Sequence, residues 1–344
     1  MTEPSRPLRI LVLIPLVATA CTSAHGGGGR RAAPATKAPT PRGWMLSSGQ
    51  VFGKGLTATH LPDGDPQRMG LPIDAAVFDA AWVRPGATAD VFVQPGSDPN
   101  TLQLEEVGMS GTTSPVGDPI GDVSAVSTAG SVFLVSSCSH GNGDTRVLPA
   151  GASSWRHVAA ACQATLAPDG RSLAFSTDGH TIQTVPVAGG TPRTLVDLDR
   201  ITTGLRGGAH IDEMSWGPPG FGVVLSRGPA FAVLVHTDQA DHVAPITGAP
   251  GFVGQLRWQP TGGLLAVDTF SQGQGGILRA IDSGTGDVRV LAADSRGLSA
   301  AVWAPDGSLL ATLAGGGSWL FIEPNGTRAQ AVPVDNELPF DWAA

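Results

Sequence analysis

The chain reads as all-β, a ring of short antiparallel sheets, on three observations. An apolar anchor is followed four residues later by Gly at Trp82/Gly86, Val126/Gly130, Leu166/Gly170, Trp216/Gly220, Trp258/Gly262 and Trp303/Gly307. Each Gly leads into an apolar run, such as Leu173 to Phe175 or Leu264 to Val267. With a seventh anchor at Trp342, successive anchors lie 39 to 50 residues apart, the period of a four-stranded propeller blade. The predicted fold is therefore a β-propeller of seven blades, six being arguable from spacing alone.

Composition agrees with this reading. The 344 residues include 47 Gly and 28 Pro, as a chain that turns every ten residues or so requires, and no long helical periodicity interrupts them. About 300 residues exceed one ordinary core, but a ring of blades adds core with each repeat. A net charge of −8 argues against a nucleic-acid surface, because phosphate binding needs clustered Lys and Arg.

The N-terminus comes first in the chain and stands apart. Ile10 to Ala18 is the one strongly apolar run; preceded by Arg6 and Arg9, it is too short to span a bilayer, and so reads as a secretory signal over residues 1–20. Leu16-Val17-Ala18-Thr19-Ala20-Cys21 resembles a bacterial lipobox, which makes Cys21 the lipidated first residue of the mature chain. Ala18-Thr19-Ala20 also fits ordinary cleavage. Residues 21–42, rich in Gly, Ala, Pro and Thr, form a tether, and 43–344 form the propeller.

Trp44 to Met69 carries apolar pieces but no anchor, as the outer strands of a blade would without an inner one. Leu338 to Trp342 is an inner strand without partners, so the two chain ends should pair and close the ring. The second blade runs from about Ala75 to Pro115, the third from Ile120 to Ala160 and the fourth from Cys162 to Asp199. The fifth spans Ile211 to Thr247, the sixth Val253 to Ala292 and the seventh Leu298 to Pro333. Each Trp should pack between blades, and Asp169 and Asp306 should bond their own turns. Cys138 and Cys162, in consecutive blades of an exported chain, suggest a disulfide, two free buried thiols being the alternative.

Two stretches carry a resemblance. Leu166-Ala-Pro-Asp-Gly-Arg-Ser-Leu-Ala-Phe and Trp303-Ala-Pro-Asp-Gly-Ser-Leu-Leu-Ala-Thr resemble the Trp-Ser-Pro-Asp-Gly repeat of TolB-type β-propellers. Gly189-Gly190-Thr191-Pro192-Arg193-Thr194-Leu195 resembles the ending of that repeat. The resemblance implies an extracytoplasmic binding platform in envelope processes. The expected protein is a monomer that meets an envelope protein, peptide or small ligand at a propeller face, and the lipid on Cys21 would hold it at the outer face of the cytoplasmic membrane. TolB itself carries an α/β domain ahead of its propeller, whereas only a tether precedes this one.

Chemistry is sparse. No G-x-S-x-G elbow and no phosphate-binding glycine loop occurs. His210-Ile211-Asp212-Glu213 is a poor metal signal, since alternation lets at most His210 and Asp212 converge. No catalytic residue, cofactor or metal ligand is assigned. Asp79, Asp122, Asp212, Glu213 and Asp341 lie near the starts of inner strands, where carboxylates would face a shared channel and attract a cation or basic peptide. Arg200, Arg206 and His210, on the longest connection between blades, are the partner-facing candidates. The leading reading is a non-enzymatic binding platform; the alternative is an exported lyase or hydrolase acting on a sugar or lactone through metal-bound water at the channel mouth.

Overall fold

Each repeat folds into a four-stranded antiparallel sheet, and seven such blades form the ring. The computed structural model describes residues 39–49, 55–71, 75–94, 101–139, 142–201, 209–247, 251–271, 275–335 and 337–344. The signal segment, Cys21, most of the tether and Arg206 lie outside these residues. From blade 1 to blade 7 the inner strands are Glu337–Ala343, Ala76–Arg84, Val123–Ala129, Gln163–Leu166, His210–Gly217, Phe252–Trp258 and Leu298–Trp303.

Closure follows the pairing of the chain ends. In blade 1 the order is Glu337–Ala343, Gly43–Gly49, Leu56–Leu61, Gln67–Arg68, with Met45 opposite Trp342. The Trp342 indole N–H donates to the Arg42 carbonyl at 2.7 Å. Ile120, predicted to open blade 3, instead pairs in the strand Ile120–Gly121 with Leu102 of blade 2.

Among the described residues the apolar core divides into seven clusters, one between each pair of neighbouring blades. Tryptophan staples several of them. Trp258 packs with Val224, Val233 and Val235 of blade 5, and its indole N–H donates to the Ser215 carbonyl at 3.1 Å. Trp303 repeats the bond one blade on, to the Arg257 carbonyl at 3.0 Å. Gly217 permits this approach, because a Cβ there would lie 2.1 Å from the Trp258 ring. The Asp turns form as expected: Asp169 accepts the Arg171 N–H, and Asp306 accepts both the N–H and hydroxyl of Ser308.

Blade 3 departs from the frame. Thr128, not Val126, faces Phe133 beside the Gly130-Ser131 turn, the place Trp216 takes opposite Phe221 in blade 5. None of its inner-strand residues is fully buried. The contact with blade 2 moves outward to Phe92, Phe133 and Trp155. Cys138, near the end of the second strand of blade 3, is bonded to Cys162, just before blade 4, across a Cα–Cα distance of 4.8 Å.

Candidate functional site: the acidic channel

Inner strands of a propeller run side by side around its axis, so their polar side chains meet in the central channel. In six blades the inner strand is bulged against its neighbour. A bulge adds a residue and re-aims those beside it. Asp79, Glu213 and Asp341 each directly follow a bulge residue: Phe78, Asp212 and Phe340 respectively. In blade 6 the bulge is Gly254-Gln255, and Asp268 of the second strand lies opposite it.

These four carboxylates and Arg257 form one electrostatic group. Arg257 acts on all four, and Glu213 of blade 5 feels Asp79 of blade 2. Blades 2 and 5 are not neighbours, so their acids interact across the channel. Burial is the largest influence on each of the four carboxyls. It pushes the carboxyls of Asp79 and Asp268 up to about 6 and that of Glu213 up to about 7, and it raises Asp341 as well. The Arg257 guanidinium works against burial at each of them.

The members are held differently. Asp341 accepts the backbone N–H of Trp82 in blade 2 and of Trp342, both at 2.8 Å, which ties blade 1 to blade 2. Asp79 accepts the Ala80 N–H at 3.0 Å. Asp268 is only 6% exposed and takes the Gln255 N–H, yet its Oδ1 has no hydrogen-bond partner. Gly254 makes room for it, because a Cβ there would lie 2.3 Å from Asp268 Oδ2. Arg257 donates to Gln255 Oε1 at 2.7 Å and to the Leu256 carbonyl at 3.4 Å, and to none of the acids.

Of the five carboxylates singled out in the sequence, the structure brings Asp79, Glu213 and Asp341 together. Asp122 is exposed, with a left-handed φ of 56°, just ahead of its inner strand. Asp212 turns to His210, whose Nδ1 lies 3.4 Å from Asp212 Oδ1. Arg257 and Asp268 were missed by sequence reasoning. The signals for them were a cation directly before an anchor Trp and a lone acid inside the apolar run Leu264 to Phe270.

On the long connection, Arg200 sits in the short helix Leu198–Ile201, highly exposed and paired with Asp197 at 3.1 Å. Among the described residues no group of three or more His, Cys, Asp or Glu is arranged to hold a metal ion. An open cleft of about 250 Å³ lies between Thr40–Gly43, the Asp306 turn and Trp342, and none of the four channel acids lines it. Asp90, also raised to about 6 by burial and by Glu106 opposite it, belongs to an adjacent strand pair of blade 2 and not to the channel group.

No family model and no curated protein matches the chain. Solved structures do, at the level of fold. An uncharacterized protein of Listeria monocytogenes EGD-e, lmo1340, matches with 7% identity over 86% of this chain and 91% of that one, TM-score 0.56. A "putative 6-phosphogluconolactonase" of Bacteroides uniformis matches with 13% identity over 87% and 97%, TM-score 0.55. TolB of Acinetobacter baumannii matches with 13% identity over 86% of this chain and 63% of that one, TM-score 0.44.

Proposed function

We propose that the protein is a lipid-anchored propeller that acts as a binding platform at the cell envelope, and that its channel receives a cationic segment of a peptide or protein partner. The observation that supports this reading is the charge imbalance inside the ring: four carboxylates from blades 1, 2, 5 and 6 face one guanidinium. Confined acids in a low-dielectric cleft focus potential and favour an incoming cation. Exposed Phe78 beside Asp79, and the exposed cross-strand pair Phe252 and Phe270 beside the blade 6 bulge, offer apolar contact near the acids.

The test uses the full chain and a fluorescent tetra-arginine amide followed by anisotropy. The wild type binds, and the double variant Asp79→Asn/Glu213→Gln loses affinity about ten-fold or more, the loss shrinking with added salt. Equal binding by both proteins, or none by the wild type, overturns the channel reading. The anchor is tested separately through Cys21. Cys21→Ser should move the protein from the membrane fraction to the soluble extracytoplasmic fraction, and an unchanged distribution would refute lipid attachment.

A further inference from the structure

We propose that Arg257 is a resident occupant of the acidic channel, a tethered guanidinium that an incoming cationic ligand must displace. The proposal deepens the channel-binding reading and rests on it. It starts from position. The backbone of Arg257 is fixed between blades, since its carbonyl accepts the Trp303 indole N–H at 3.0 Å and Trp258, next in sequence, is stapled to blade 5. Only the side chain is free to move. It is partly exposed, and its hydrogen bonds go to Gln255 two residues back and to a neighbouring carbonyl. Both are local bonds that a rotation of the side chain can release.

The surroundings supply the second argument. The charged groups that meet Arg257 are Asp341 from blade 1, Asp79 from blade 2, Glu213 from blade 5 and Asp268 from blade 6. The inner strands of blades 3, 4 and 7 contribute no ionisable side chain: they read Val123-Ser-Ala-Val-Ser-Thr-Ala129, Gln163-Ala-Thr-Leu166 and Leu298-Ser-Ala-Ala-Val-Trp303. One cation is thus shared among four acids and hydrogen-bonds none of them. Asp268 Oδ1, buried and without a partner, is the clearest acceptor that Arg257 leaves unused. A guanidinium or ammonium on a ligand can take that acceptor only by competing with the guanidinium already there.

Competition and proton binding are coupled with a definite sign. Arg257 lowers the carboxyls around it, so removing it strips away a competitor and also lets the acids hold protons to higher pH. The gain from removal should therefore show above neutrality and fade below it.

The experiment measures tetra-arginine amide binding to full-length wild type, Arg257→Met and Arg257→Lys at about pH 8 and about pH 5, where Asp79, Asp268 and Glu213 are mostly charged and mostly protonated respectively. Arg257→Met, which keeps the aliphatic stem, should bind about ten-fold tighter than wild type at the higher pH and lose most of that advantage at the lower. Arg257→Lys, which keeps a cation, should stay close to wild type at both. If Arg257→Met binds like wild type or more weakly at the higher pH while Asp79→Asn/Glu213→Gln still weakens binding about ten-fold or more, the channel reading stands and the resident-cation proposal is overturned. If no variant binds at either pH, the channel reading falls and takes the proposal with it. Should Arg257→Met fail to give a cooperative melt, Arg257→Gln takes its place with the same expected result.

Discussion

Burial at Glu213 makes the folded chain keep a proton that the unfolded chain releases. Its carboxyl sits at about 7 in the fold, against 4.5 when free of it, with burial the main cause. Between those two values the folded state binds more protons than the unfolded state, so stability falls as pH rises through that window and levels off above it. Gln keeps the shape and removes the titration. Glu213→Gln should therefore match wild type in urea melts near pH 4 and exceed it by about 1–2 kcal/mol near pH 8, less than the full shift because the side chain keeps some access to water. A variant offset from wild type by the same amount at both pH values would mean that Glu213 is not held protonated. At this scale the site was half legible. Asp79, Glu213 and Asp341 could be placed because inner-strand position follows from distance to the anchor Trp. Asp268 could not: plain strand alternation leaves it on a sheet face, and only the Gly254-Gln255 bulge beside it brings it into the group. Asp122 failed for the opposite reason, its strand beginning one residue later.

Among elements, the blade is the unit that the sequence announces, because its two structural requirements leave marks. A tight turn selects Gly, as at Gly170 and Gly307 with φ near +66° and +70°, and the space between blades selects a large ring with one polar atom. Trp258 and Trp303 meet both demands of that space, filling it with an indole and satisfying the N–H on the preceding blade. A non-aromatic anchor can keep both signal and packing, as Leu166 does ahead of its Pro-Asp-Gly turn in blade 4, but blade 3 loses both. Blade 3 offers Val126, the structure puts Thr128 at the turn-proximal place, and the apolar contact with blade 2 is rebuilt further out around Trp155, whose indole bonds the Asp118 carbonyl. The inner-strand bulges had no uniform mark: Phe78 and Phe340 each precede an Asp, but the bulge in blade 5 is Asp212 and that in blade 6 is Gly254-Gln255. The site therefore stayed less readable than the scaffold: turns and staples are written in Gly and Trp, whereas the re-aiming of channel acids is written in register.

For the whole molecule, closure is the property on which both scaffold and channel depend, and it rests on the last strand. Glu337–Ala343 supplies the inner strand of blade 1 and reaches three blades at once. The Glu337 carboxylate accepts the hydroxyls of Ser47 and Thr57, and its carbonyl accepts the Trp319 indole N–H of blade 7. Asp341 caps the Trp82 N–H of blade 2, and Trp342 stacks edge-on to Phe321 at 5.4 Å. Losing Trp342 alone belongs to the class of core truncations that cost about 3–5 kcal/mol, a large part of the roughly 5–15 kcal/mol that holds a typical domain folded. Ending the chain after Val334 also exposes the Gly43–Gly49 edge and removes one of the four channel acids. The truncated protein should therefore melt at least about 10 °C lower, with a broadened transition as the ring opens at one seam. Adding a synthetic peptide of residues 335–344 should restore the transition, because the strand docks by backbone pairing with Gly43–Gly49 and needs no covalent link to do so. A truncated protein that melts like the intact chain, or one that the peptide leaves unchanged, would show that the ring is held by its inter-blade clusters and not by the join between its ends.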